Sequence, residues 1–266
     1  MPFVPFRVGR IPYGGNADSE RIRRVFDFVN SLVDVNGDFE LGDITVGRGG
    51  NRKTTNTAVG QYVLEVNDSG TNNTGVGQAV LKLNSSGGNN CAFGAGTLAA
   101  NTTAGSNSAF GAGSMILVST GGGNSAFGSA SALFFTTGYQ NVVAGTSAAQ
   151  YQADGATPLQ TPNTSVYIGY AVRGYNNSDA NSIVIGANAI GEGANTTVIG
   201  NSSTTLTHIY GTVALSKVRQ LTSTTADPTT TEYPTDQDWG IHKNTTSGNV
   251  FLAYNNGGSI VKVQLT

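Results

Sequence analysis

Charge is scarce in this chain: Asp, Glu, Lys and Arg together make up 11% of its 266 residues, where about a quarter is usual. Cysteine and histidine are scarcer still, and each shortage excludes something. The single Cys91 rules out an intrachain disulfide framework. His208 and His242 have no neighbouring cysteine and no metal-ligand spacing, so neither a metal nor another cofactor is expected. A formal net charge of −2 supplies no basic surface for nucleic acid. No apolar run reaches the ~18 residues of a membrane span, and MPFVPFRVGRIPYGG lacks the apolar centre of a signal peptide. Neither membrane insertion nor secretion is therefore expected.

The same scarcity argues against an enzyme. Few carboxylates fall among the repeats described next: Glu65, Asp68, Asp154, Asp179 and Glu192. Glycoside hydrolysis needs two held a few ångströms apart, and serine nucleophiles need a histidine in register. GRGGNRKTT gathers Arg48, Arg52 and Lys53 beside glycines, but a phosphate loop needs a strand-to-helix setting that is missing there.

What the chain has in abundance is repetition. Asn recurs every seventeen residues at Asn56, Asn73, Asn90, Asn107, Asn124 and Asn141, and Gly follows four residues behind each, from Gly60 to Gly145. The units read NTAVG, NTGVG, NCAFG, NSAFG, NSAFG and NVVAG. After seven extra residues come SVYIG, SIVIG and a shortened TTVIG, making nine copies. A fixed period of this length marks a solenoid, whose units bury apolar faces against their neighbours. Residues before each Gly are β-branched or aromatic, as in a strand, and Gly permits a bend at positive φ. NDSGTN, NSSGGN and STGGGN between units carry turn chemistry. Nine coils at ~4.8 Å would stack to roughly 43 Å, with Asn side chains bonding from coil to coil.

Each coil holds only two or three sizeable apolar side chains, such as Phe110 and Met115. Ordering a residue costs about 1–2 kcal/mol, whereas burying a large apolar side chain returns about 1.5–3. A private core within one coil is therefore not expected. Sharing among several chains is, with Val59, Val76, Phe93, Phe110, Phe127, Ile168, Ile185 and Ile199 as the shaft core of an all-β, intertwined β-solenoid, which the resemblance given next makes a homotrimer.

The pattern NTAVG…AVL…NNTGVG, with its short TTVIG copy, resembles the repeats of bacteriophage tail-fibre proteins. It is also similar to the head repeats of trimeric autotransporter adhesins, which form a trimeric left-handed parallel β-roll. VIGNSSTTLTHIYGTV resembles phage fibres in particular, and the likeness covers roughly residues 44–214. It implies a homotrimeric virion protein, assembled in the host cytoplasm, that binds other tail or baseplate proteins through its N-terminus and a host-surface glycan or protein at its far end. Rival readings are a bacterial trimeric surface adhesin, a head-decorating fibre and a surface-polysaccharide depolymerase.

Along the chain, residues 1–18 read as an attachment arm, with Phe3, Phe6, Arg7 and Tyr13 as the docking set. Residues 19–36 read as a helix capped by Asp18 or Ser19 and stopped by Asn36-Gly37. Its Ile22, Val25, Val29 and Leu32 follow heptad spacing, so a trimeric coiled coil is expected. The shaft spans 37–203, with Ile44–Gly47 as an atypical first coil. Cys91 reads as a small residue in a packed column, and QYQADGATPLQTPNT as a surface loop inserted into one coil. Residues 204–237 form a neck and linker. Residues 238–266 read as a three-stranded tip whose Trp239, His242, Lys243, Tyr254, Asn255 and Asn256 are the candidate receptor-binding set.

Overall fold

The computed structural model describes residues 17–33, 38–41, 43–210, 221–224, 239–244, 247, 249–256 and 259–265. The arm residues Phe3, Phe6, Arg7 and Tyr13 lie outside them, as do Asn36 and Gly37. The chain divides into two compact units, Met1–Thr207 and His208–Thr266.

The first unit is a β-solenoid. Each NxxxG copy forms one short strand: β3 (Thr57–Gly60), β4 (Thr74–Val76), β5 (Cys91–Phe93), β6 (Ser108–Phe110), β7 (Ser125–Phe127), β8 (Val142–Ala144), β9 (Val166–Ile168), β10 (Ile183–Ile185) and β11 (Thr197–Ile199). Sequential neighbours pair in parallel and in register, Cys91 with Ser108 and Phe93 with Phe110, through about eight turns. The glycine column permits this stacking. Gly111 sits at φ 130°, and a Cβ there would lie 2.4 Å from the Gly128 carbonyl oxygen.

Contrary to the composition argument, each coil does enclose an interior of its own. The middle residue of each strand points inward: Ala58, Ala92, Ala109, Ala126, Val143, Tyr167 and Val184 are fully buried. Opposite them, left-handed residues turn the corner, as at Ala79 and Leu81 (φ 55° and 50°). Two consecutive side chains, Val80 and Leu81, therefore both point inward, where strict alternation would send one out. The apolar requirement is small because the coil is thin and asparagine fills part of it.

Two buried amide ladders do that filling. In one, Asn73, Asn90, Asn107, Asn124 and Asn141 each donate a backbone N–H to the Oδ1 of the Asn one coil earlier, at 2.9–3.0 Å. In the other, Asn84 Nδ2 donates to Asn67 Oδ1 at 2.7 Å and Asn101 Nδ2 to Asn84 Oδ1 at 2.6 Å. The second ladder stops where Val118, Phe135 and Leu159 take over, which leaves Asn101 Oδ1 as the buried side-chain acceptor without a partner among the described residues.

Side chains across the coil compensate in size. β4 has Gly75 at its inward position, where a Cβ would approach a Val63 methyl at 2.6 Å and one of Val80 at 3.2 Å. Coils with Ala92 or Ala109 face the smaller Thr97 or Ser114. Gly75→Ala should therefore destabilise the chain by about 1–3 kcal/mol through overpacking, and Val63→Ala in the same chain should return part of the loss. Denaturant unfolding of the single and double variants checks this; a neutral Gly75→Ala would mean that the coil is wider than described.

At its N-terminal end the stack is closed by a hairpin, not by another coil. β1 (Phe39–Leu41) pairs antiparallel with β2 (Ile44–Gly47), and β2 pairs antiparallel with β3. ITVG resembles a coil strand in sequence, yet it runs the other way and covers the open sheet edge. Buried Asp38 fixes this cap: its Oδ2 accepts the N–H groups of Arg48 and Gly49 at 2.9 and 2.8 Å.

The insertion between Gly145 and Gly169 makes a small antiparallel contact, Tyr151 with Pro158, and returns Leu159 to the interior. In the next coil Tyr167 occupies the inward position that smaller residues hold elsewhere. Its O–H donates to Asp179 Oδ2 at 3.0 Å, and the same oxygen accepts the N–H of Tyr175 at 2.8 Å. Burial, reinforced by the Asp179 charge, pushes the Tyr167 phenol well above its ordinary pKa.

Helix α1 spans Ala17–Ser31, so Asp18 and Ser19 lie in its first turn, not ahead of it, and Val33 already bridges to Phe39. The second unit is a four-stranded sheet: β12 (Leu221–Thr224), β13 (Trp239–Asn244), β14 (Val250–Asn256) and β15 (Ser259–Leu265). The three expected tip strands are present as an antiparallel meander. Residues 221–224, expected in the neck and linker, instead form a fourth strand parallel to β13.

Candidate interaction surface

Strand geometry decides which side chains reach solvent. The middle residue of each three-residue strand enters the coil, so the first and third leave it. The third positions are Val59, Val76, Phe93, Phe110, Phe127, Ile168, Ile185 and Ile199, the residues expected to make the shaft core. None contributes to the interior of its own coil. They form a ridge on the outer sheet face, half-buried for Val59, Val76, Phe93, Phe110 and Ile185, and exposed for Phe127, Ile168 and Ile199.

At the middle of this ridge three rings stack. Phe93 and Phe110 have centroids 5.1 Å apart, Phe110 and Phe127 5.2 Å, each pair within 6° of parallel. The spacing follows the strand separation, so the rings gain mutual contact but leave their outer edges in water. The first positions run alongside: Thr74, Cys91 and Ser108 in the early coils, then Val142, Val166 and Ile183. Cys91 is half-buried in this column, as its place in the repeat implied, and burial raises its thiol pKa. Parallel sheets are normally covered on both faces. Here the inner face is covered by the coil itself, and among the described residues no element covers the outer face.

A second apolar column escaped the reading of the repeat. Six residues after each repeat Gly come Val66, Leu83, Ala100, Leu117, Phe134 and Tyr151. Val66, Leu83 and Leu117 are 51%, 46% and 40% exposed, and Phe134 meets Tyr151 ring to ring at 5.5 Å. The signal was present in the seventeen-residue period. It went unused because these residues sit beside turn sequences and outside the NxxxG motif. At the start of this column Glu65 and Lys82 pair at 3.4 Å on the surface, and Lys82 also lies 4.8 Å over the Tyr62 ring.

Helix α1 adds a third apolar surface: Ile22, Val25 and Phe28 are all exposed, and Ile22, Val25 and Phe26 line a shallow groove with Arg21. In the second unit Trp239 pairs across strands with Tyr254, His242 with Phe251, and Lys243 with Val250. The candidate receptor residues thus sit on two adjacent strands. Tyr254, Asn255 and Asn256 belong to β14, which continues to an Asn256–Ser259 pair with β15. Phe251 and Ala253 are buried, while Leu252 and Val263, paired opposite each other, are exposed.

Three carboxylates in the first unit serve the fold. Asp38 caps the stack, Asp179 holds Tyr167, and Asp154 accepts bonds from its own loop, first from the Thr157 hydroxyl and then from the N–H groups of Ala156 and Thr157, which lower its pKa. Among the described residues no three His, Cys, Asp or Glu side chains come close enough to share a metal ion. No described helix is long and apolar enough to cross a membrane.

Fold and surface together define a charge-poor parallel β-solenoid with two outer apolar ridges. Scans against protein-family models, curated proteins and solved structures find no match to this chain.

Proposed function

We propose that this chain is the subunit of a homotrimeric bacteriophage tail fibre, a structural virion protein that carries a host-surface receptor-binding tip. One observation carries the reading: the Val/Phe/Ile ridge on the outer sheet face, left in water by a single chain. Large continuous apolar patches on soluble proteins mark interaction sites, and a ridge that repeats with every coil calls for a partner as long as the shaft. The apolar face of α1 supports the same assembly, because a two-heptad helix is marginal in water unless it packs against others. The resemblance of the repeats to phage fibres adds the setting, with the N-terminal arm on tail or baseplate proteins. The strands carrying Trp239, His242, Lys243, Tyr254, Asn255 and Asn256 would then face a host glycan or protein.

Light scattering on the purified full chain should give about three times the 27.3 kDa chain mass, and electron microscopy of phage particles labelled with an antibody to the chain should mark the tail fibres. A folded monomer would overturn the trimer. Label on the capsid alone would move the fibre to the head.

A further inference from the structure

We infer that the ridge of Val66, Leu83, Leu117, Phe134 and Tyr151 is the surface on a second copy of this chain against which the Phe93–Phe110–Phe127 ridge packs. The inference rests on the trimeric reading above and specifies which two faces make the interface.

Symmetry supplies the first reason. A closed ring of three identical chains needs a heterologous interface, in which one face of each chain meets a different face of the next. Two ridges on separate faces supply such a pair, whereas three strand ridges meeting on the axis would leave the second ridge in water. The second ridge is the other apolar column that repeats with the coils, and both have the strand spacing of ~4.8 Å. A second copy of this chain is a partner whose ridge has that interval by construction.

The second reason is height along the stack. Chains related by rotation about a common fibre axis bring equal coils to equal levels. The strand ridge is most aromatic at Phe93, Phe110 and Phe127. In two of those coils the second ridge is bulky: Leu117 lies in the coil of Phe110 and Phe134 in that of Phe127, joined by the half-buried Ile116 and Leu133, whereas the coil of Phe93 has Ala100. Both ridges therefore carry large apolar side chains at the levels of Phe110 and Phe127.

The third reason is charge. From Leu83 to Ala153 the chain contains no Asp, Glu, Lys or Arg. Glu65 and Lys82, at the beginning of the second ridge, neutralise one another. Packing ridge on ridge along these coils strands no charged group in an apolar interface, which would cost several kcal/mol per ion.

Two measurements on the full chain test the inference. In a Cys91→Ser background, Phe110→Cys and Leu117→Cys are introduced singly and together, and a short bis-maleimide is added. The double variant should run as a covalently linked trimer on a denaturing gel, and each single variant as separate chains. In parallel, Leu117→Asp should reduce the light-scattering mass from trimer to monomer while the β-sheet circular dichroism persists. Linked chains from Phe110→Cys alone, in a protein of trimeric mass, would show like ridges meeting around the axis and overturn the pairing but not the trimer. A trimeric Leu117→Asp would do the same. A monomeric parent chain would end both readings.

Discussion

Ala109→Asp should abolish cooperative folding of the solenoid, whereas Phe110→Asp, one residue along the same strand, should leave the coil folded and separate the subunits. Ala109 is fully buried between Ala92 and Ala126, inside a coil too thin to admit water around a carboxylate. An unpaired buried charge costs several kcal/mol, comparable to the ~5–15 kcal/mol total stability of a typical domain. Neighbouring coils depend on this one for their strand pairing, so the damage spreads. At Phe110 the same carboxylate points outward, into water in an isolated chain and into the ridge interface in a trimer. Circular dichroism melts combined with light scattering separate the two outcomes. If Phe110→Asp unfolds the chain as Ala109→Asp does, the outward orientation of the ridge is wrong. If it remains a stable trimer, the ridge is not the interface.

The second large effect is expected at the buried amide ladder. Asn107 Nδ2 donates to the Gly121 carbonyl at 2.9 Å, and its Oδ1 accepts the backbone N–H of Asn124 at 3.0 Å and the Asn124 Nδ2 at 3.1 Å. Asn107→Ala leaves the Gly121 carbonyl and the Asn124 N–H without these side-chain partners, at about 1–3 kcal/mol for each buried group. Asn124 Nδ2 keeps its bond to the Gly138 carbonyl at 2.8 Å, so it adds little to the loss. The loss should total about 2–6 kcal/mol from these two groups, read as a lowered denaturation midpoint. Asn72 is the control. Its Nδ2 bonds Asn89 Oδ1 at 3.3 Å on the exposed surface, and its φ of 59° is left-handed, so Asn72→Ala should cost only the backbone strain, about 1 kcal/mol. Equal costs at the two sites would remove the ladder from its structural role.

Much of this was legible in the chain itself. The seventeen-residue recurrence from Asn56 to Asn141 determined a β-solenoid, its strand positions and the amide stacking, because local geometry repeats when residues recur at one interval. The three tip strands were equally readable from apolar runs separated by turn residues. The full length of β14 was not, since Asn255-Asn256-Gly-Gly has turn chemistry and only pairing with β15 extends the strand through Asn256.

What the tertiary structure alone decided is direction. A three-residue strand such as Ser108–Phe110 has one face with Ala and one with Ser and Phe, and hydrophobicity ranks Phe as the inward residue. The opposite wall lies so close that even a methyl group at Gly75 would collide with Val63. Only small side chains fit between the walls of most coils, and the aromatic column is forced out. The reversal of ITVG has a similar origin: its residues suit either strand direction, and the buried Asp38, bonded to Arg48 and Gly49, holds the hairpin that turns it antiparallel. Period and composition are properties of the chain, but which face of a short strand is inside depends on how near the far side of the coil comes.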